Sequence, residues 1–336
     1  MDPVRLIADA ILYEGYVLWP YRRSAVKNMK RWTFGGVHPH GYSTSGHDDD
    51  AWRMQTQCLL EGYGDARVDV RVRFLHVVDR QVARGSGGTL EPVDELTVGA
   101  DRHLSWQEAT EREIGRTLEL RRLAEAPERL EIDIPATRSE EPLVDQDGVQ
   151  VGALVRSSRS LSGTVEVAAE AAGEGVHRLT VGIENRTPWQ GGTREQALER
   201  TFISTHTILR AEGAAFASLT DPPEALRELA RKCENVGTWP VLVGDPGDRA
   251  TLLSSPIILE DYPRIAPESP GDLFDGGEID ELLTLNILTL TDEEKREMRD
   301  SDPRAREILE RTASLSPDQL MKLHGAVREF RPLRGT

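Results

Sequence analysis

The sequence is short of cysteine, of long apolar runs and of positive charge, and each shortage excludes a class of protein. Cys58 and Cys233 are its two cysteines. Two thiols build neither a disulfide framework nor, by themselves, a thiolate zinc site. No uninterrupted apolar run approaches the roughly 20 residues needed to span a bilayer, so no membrane insertion is expected. The tandem Arg22-Arg23 invites a twin-arginine export reading, but no apolar core and no small-residue cleavage site follow it. A cytoplasmic protein with reduced thiols is the expectation. Acids outnumber bases 57 to 41, a net charge of −16. That balance argues against nucleic acid as a partner, because phosphate binding needs a basic surface.

Two motifs are missing as well. There is no Gly-x-Ser-x-Gly nucleophile elbow. Gly85-Ser-Gly-Gly88 lacks the Gly-Lys-Ser/Thr ending of a phosphate loop and reads as a hairpin loop.

What is present suits a folded chain. Its 336 residues suffice for two domains, or for one large domain with appendages, and 38% are hydrophobic and 29% charged. Val4, Ile7, Ala8, Ile11 and Leu12 recur at helical spacing, stopped by Gly15. In 67–76, Val68, Val70, Val72, Phe74 and His76 alternate with Arg67, Asp69, Arg71 and Arg73, which predicts a strand with one buried and one wet face. Ser105-Trp-Gln-Glu108 reads as a capping box that opens a short helix.

From about 118 to 209 the texture becomes short strands: ERLEIDIPA, VQVGALVRS, SGTVEVAAEA, HRLTVGIENRT and TFISTHTILRA, separated by turn-formers such as Asp145–Gly148 and Gly173–Gly175. Strands with turns at such intervals suggest a β-sandwich of immunoglobulin-like texture. Asp221-Pro-Pro-Glu224 starts a helix carrying Ala225, Leu226, Leu229 and Cys233, and Thr291, Asp302-Pro303 and Ser316-Pro317 mark three more helix starts. The predicted fold is α+β: a central antiparallel β-sandwich over 65–215, a helix and irregular aromatic/histidine loop over 1–64, and a helical carboxyl region with an acidic strap over 216–336.

Charge is unevenly spread. From Pro256 to Glu310 sixteen acids face six bases. The ribbon SSPIILEDYPRIAPESPGDLFDGGEIDELL concentrates Glu260, Asp261, Glu268, Asp272, Asp275 and Glu278 among Pro256, Pro263, Pro267 and Pro270. Proline holds the backbone extended and removes donors, and a stiff segment loses less entropy on docking. The ribbon therefore suits either a partner or a strap across the chain's own sandwich, with Ile257, Leu259 and Tyr262 inward and carboxylates outward. Acids at Asp275 and Glu278 also suit the positive end of a helix. Arg22, Arg23, Lys27, Lys30 and Arg31 are free of intervening acids, and they suit pairing with the ribbon or with an acidic neighbour.

Three constellations bear on chemistry. His38-Pro-His40, with His47 and Asp48-Asp49-Asp50 behind, is a candidate nickel, zinc or iron loop, although it lacks a rigid i, i+4 spacing. Paired carboxylates with Trp189 and Trp239 offer a sugar-binding or sugar-cleaving alternative. Ser204-Thr-His206 reads as strand interior with both side chains on one face, and Cys233 beside Lys232 as a core thiol.

YEGYVLWPYRRSAVKN, RWTFGGVHP, TWPVLVG and SPIILEDYPRIAPESPGDLFDGGEIDELLTLNILTLTDEEK resemble a family encoded beside the nickel–iron hydrogenases of actinobacteria and related soil bacteria. The resemblance is strongest in the first and last thirds of the chain, and the sandwich matches in texture. It implies an accessory protein for hydrogenase maturation or assembly, with a hydrogenase subunit or another maturation factor as partner. The acidic ribbon and the basic segment supply the expected partner-binding residues: Glu260, Asp261, Tyr262, Glu268, Asp272, Asp275, Glu278, Arg22 and Arg23. His38, His40 and His47 would then be a place for transient nickel or iron contact. The resemblance brings no catalytic residue.

Overall fold

The computed structural model describes residues 4–5, 7–9, 12, 35–86, 89–263, 295 and 309–310. Residues 1–19 and 29–263 form one compact unit, and 20–28 with 264–336 a second. In the second unit the described residues are Lys295, Leu309 and Glu310, all helical. The expected helix starts at Thr291, Asp302-Pro303 and Ser316 lie outside the described residues.

The first unit is mostly antiparallel sheet organised around one strand, β1 (Arg53–Ser86), 34 residues long. There follow β2 (Thr89–Val93), β3 (Glu95–Val98), β4 (Asp101–Leu104), β5 (Trp106–Glu119), β6 (Glu128–Ile134) and β7 (Thr137–Val144). Then come β8 (Gln150–Ser158), β9 (Leu161–Gly173), β10 (Val176–Asn185), β11 (Ile203–Phe216), β12 (Trp239–Leu242) and β13 (Thr251–Ser255). The main sheet runs β12-β13-β11-β1-β10-β9-β6, with β2, β5 and β8 on further lengths of β1 and β7 on β8. β1 is long enough to change partners as it goes: Arg53–Glu61 pair with β10, Arg67–Arg80 with β5, and Asp79–Arg84 with β8. The switch occurs at a register shift between Gly62 and Arg67, and such an irregularity bends a strand and raises its twist. The sheet thereby curls so that its two halves face a shared core.

Alternation builds that core. Val68, Val70, Val72 and Phe74 of β1 meet Leu130 and Ile132 of β6, Val165 and Val167 of β9, and Leu179 and Val181 of β10. Short helices accompany the sheet, among them α1 (His40–Ser43) and α2 (Leu120–Glu125). α2 plugs the core with Leu120 and Leu123, both fully buried; each such leucine contributes about 1.5–3 kcal/mol. The predicted turns fall where expected. Gly85 sits at φ +134°, where a Cβ would lie 2.1 Å from the Thr89 carbonyl oxygen, so the β1–β2 hairpin requires glycine there.

The predicted β-sandwich is present. The expected divisions at 64/65 and 215/216 both fall inside the sheet unit: β1 starts at Arg53, and β12 and β13 lie beyond residue 216. Ser105 does not cap a helix, because residues 106–119 are β5. Its hydroxyl instead donates to the Val93 carbonyl and accepts from the Val82 N–H and the Gln81 amide, stitching β1 to the β2 side. The wet face predicted for β1 is also partly dry. Arg73 is 2% exposed because the amino-terminal helix covers it: Leu12 packs with Leu75, Val77 and Ile203, and Arg73 donates to Asp9 at 2.6 Å and Glu111 at 3.2 Å, with Glu113 at 3.7 Å. No helix among the described residues is long and apolar enough to cross a membrane.

Candidate functional site

The acidic ribbon leaves the sandwich at the end of β13, and its first residues close an open sheet edge. β12 is an edge strand, and edges carry unpaired N–H and C=O groups that invite association. Pro240 has no N–H to offer. The Leu242 N–H donates to Asp261 Oδ1 at 2.8 Å, and the Leu242 carbonyl accepts from the Tyr262 N–H at 2.7 Å. Asp261 Oδ2 meanwhile accepts from the Ser218 and Thr220 hydroxyls. Tyr262 packs against the main core at φ +57°. Asp261 and Tyr262 therefore hold their own chain together: inward geometry takes up the Asp261 carboxylate, expected to point outward, as well as the ring.

What this anchoring leaves in the open is apolar. Ile258 is 73% exposed, Trp239 43% and Val236 38%. Trp239 pairs with Ser255, three residues before Ile258, and Val236 bridges to Gln55 beside it. Glu260 is exposed. Glu268, Asp272, Asp275, Glu278, Arg22 and Arg23 lie outside the described residues.

The histidine loop is ordered, and it separates its three histidines. Pro39 leads into α1, and the turn closes on itself: Ser43 Oγ donates to the Asp50 carbonyl and Thr44 Oγ1 to the His40 carbonyl. Asp50 is the hub. Its carboxylate accepts from the buried Tyr42 hydroxyl at 3.1 Å, and Arg194 and the His38 Nε2 lie 3.5 and 3.6 Å away. His38 is buried, and burial pushes its pKa below the ordinary value despite the pull of Asp50. Burial, followed by the Asp50 charge, pushes the Tyr42 pKa up, which keeps its hydroxyl a donor. His47 stacks on Tyr42 at 4.1 Å, while His40 meets Trp52 edge-on at 4.6 Å. A metal needs lone pairs aimed at one point about 2 Å away. Among the described residues no three His, Cys, Asp or Glu side chains form such a group. The structure does not bring His38, His40 and His47 together. Asp50, the residue that orders the loop, stood in the sequence only as the last of three aspartates.

Ser204 and His206 do not pair as nucleophile and base. Ser204 lies at φ +53° where the β1–β11 register shifts, so simple alternation fails there. The His206 Nδ1–H donates to the Ser204 carbonyl at 3.0 Å, and among the described residues neither Ser204 Oγ nor His206 Nε2 has a hydrogen-bond partner. Burial pushes the His206 pKa down to about 4. Burial also raises the pKa of Cys58 and of Cys233, which disfavours the thiolate of each.

No protein-family description matches the chain, and no curated protein matches it significantly.

Proposed function

We propose that this chain is a non-catalytic accessory protein that docks onto another protein through the start of its acidic ribbon. One observation carries the reading: the segment anchored through Asp261 and Tyr262 holds Ile258 in the open, three residues past the Ser255 that pairs with the half-exposed Trp239, with Glu260 exposed two residues further on. An aromatic or aliphatic anchor on a rigid mount, followed by charge, is the usual make-up of a docking hot spot and its rim. Sixteen acids over 256–310 favour a partner with a basic face, since complementary charge speeds encounter and rejects wrong partners. The resemblance to a hydrogenase-associated family points to a nickel–iron hydrogenase subunit or another maturation factor in the cytoplasm as that partner.

The test is co-purification of the full chain with hydrogenase subunits. Asp261 must stay intact, since its loss would damage the sandwich itself. Ile258→Asp with Glu260→Lys changes outward side chains, and it is expected to weaken the complex at least about tenfold, the equivalent of 1.4 kcal/mol. Retention of the complex by this variant refutes the surface as the docking site. Absence of any hydrogenase protein with the wild-type chain refutes the partner.

A further inference from the structure

Beside the histidine loop lies a cavity of about 370 Å³ that the docking reading does not use. Pockets for small ligands run from roughly 300 to 1,000 Å³, so this one has room for about one ring. Its wall includes Arg159, Ser160, Trp189, Gln190, Gln196 and Arg200. Two arginines and no acid line it, in a chain where acids outnumber bases 57 to 41. One carboxylate stands behind them: Glu199 accepts from Arg159 Nε at 2.9 Å and lies 4.0 Å from Arg200. Among the described residues, the two terminal nitrogens of Arg159 make no hydrogen bond; Nε alone is engaged. Arg200 spends one nitrogen on the Gln196 carbonyl, with its guanidinium 5.9 Å from the centre of the Trp189 ring.

The wall is built before any ligand arrives. Trp189 rests edge-on against Tyr42 at 5.4 Å, and a Cβ on Gly41 would lie 3.2 Å from the Trp189 Cβ. Thr187 is tied on both sides: its N–H donates to Asn185 Oδ1, and its hydroxyl accepts from the Ser162 N–H. α3 (Arg194–Leu198) opens with a capping box in which the Gln196 side-chain oxygen accepts from the Thr193 N–H. That leaves the Gln196 amide nitrogen as a donor. A preorganised wall lowers the entropy lost on binding.

We propose that this cavity binds a carboxylated monosaccharide. A guanidinium meets a carboxylate with two parallel N–H···O bonds, which an uncharged sugar cannot supply. The amides of Gln190 and Gln196 and the Ser160 hydroxyl suit ring hydroxyls, as donors and acceptors. An indole offers an apolar surface to the C–H face of a sugar ring. The site is separate from the ribbon and stands or falls independently of docking.

Calorimetric titration of the full chain with glucuronate, glucose and acetate tests the proposal. Glucuronate is expected to bind at least about tenfold more tightly than either of the others, because each lacks one of the two recognition elements. Trp189→Ala and Arg159→Gln are each expected to lose about tenfold or more. The Arg159 side chain is 59% exposed, so its substitution leaves folding intact and covers the case in which Trp189→Ala unfolds. Glucose or acetate binding as well as glucuronate overturns the proposal. So does glucuronate binding that Arg159→Gln leaves unchanged, or no glucuronate binding at millimolar concentration.

Discussion

Replacing Asp261 with alanine tests whether the ribbon's first turn belongs to the sandwich. Three donors lose their acceptor: the Leu242 N–H and the Ser218 and Thr220 hydroxyls. Thr220 is exposed and Ser218 half-buried, so both turn to water at small cost. The Leu242 N–H sits on a residue 3% exposed, and an orphaned buried donor costs about 1–3 kcal/mol. With the charged hydrogen bonds included, the loss is roughly 2–4 kcal/mol. It falls locally, on the β12 edge. Hydrogen exchange at the Leu242 amide is therefore expected to quicken by about thirtyfold or more, with the β1–β10 amides unchanged. Asp261→Asn keeps an acceptor for Leu242 and is expected to cost no more than about 1 kcal/mol. Unchanged Leu242 exchange in the alanine variant, with urea stability within about 0.5 kcal/mol of wild type, refutes the reasoning.

Other expectations concern pH, packing and metal. His76 and His206 have pKa values pushed down to about 4, chiefly by burial, with Arg112 and Arg73 respectively adding repulsion. The unfolded chain takes up those protons near 6.5, so their contribution is complete above that pH and fades as pH falls towards 4; by about pH 5 each histidine has lost roughly 2 kcal/mol. A urea midpoint that does not move between neutral pH and about pH 5 contradicts this. A Cβ on Gly163 would lie 2.4 Å from the Glu184 carbonyl oxygen and 2.8 Å from Phe202, whereas one on Gly182 meets nothing within 4 Å. Gly163→Ala is accordingly expected to cost about 1–3 kcal/mol in a urea melt, and Gly182→Ala about 0.5 kcal/mol or less. Nickel titration is expected to be the same for wild type and for the variant with His38, His40 and His47 all changed to alanine; weaker binding by the variant counts against the separated geometry.

The strands were legible because alternation carries its own period. Val68 to Phe74 announce a buried face whatever lies on it, and Asp145–Gly148 and Gly173–Gly175 announce turns. Ser105 shows where local reading fails. A capping box needs a helix after it, and cross-strand pairing of Trp106–Glu119 with β1 overrode that local preference. The candidate site was half legible. Proline and acid marked the ribbon as a strap, and its described start, up to Pro263, does dock on the sheet edge, but which of its side chains turn inward depends on the strand edge it meets. Asp261 faces in because Leu242 has a free N–H there, and a hydrogen bond across 19 residues leaves no trace in local composition. The histidine loop was found as a cluster, although nearness in sequence does not aim lone pairs at one point.

By itself the sequence determined the antiparallel sandwich, the missing disulfide framework and the acidic character, because these follow from periodicity, counts and charge. Only the tertiary structure decided that Arg73 is buried among three carboxylates, that Asp50 and Asp261 are internal pins, and that Trp189 and two arginines wall a cavity. Each of these brings together side chains far apart in the chain. Their distances are set by strand register and by the curl of the sheet, which no local stretch of residues encodes.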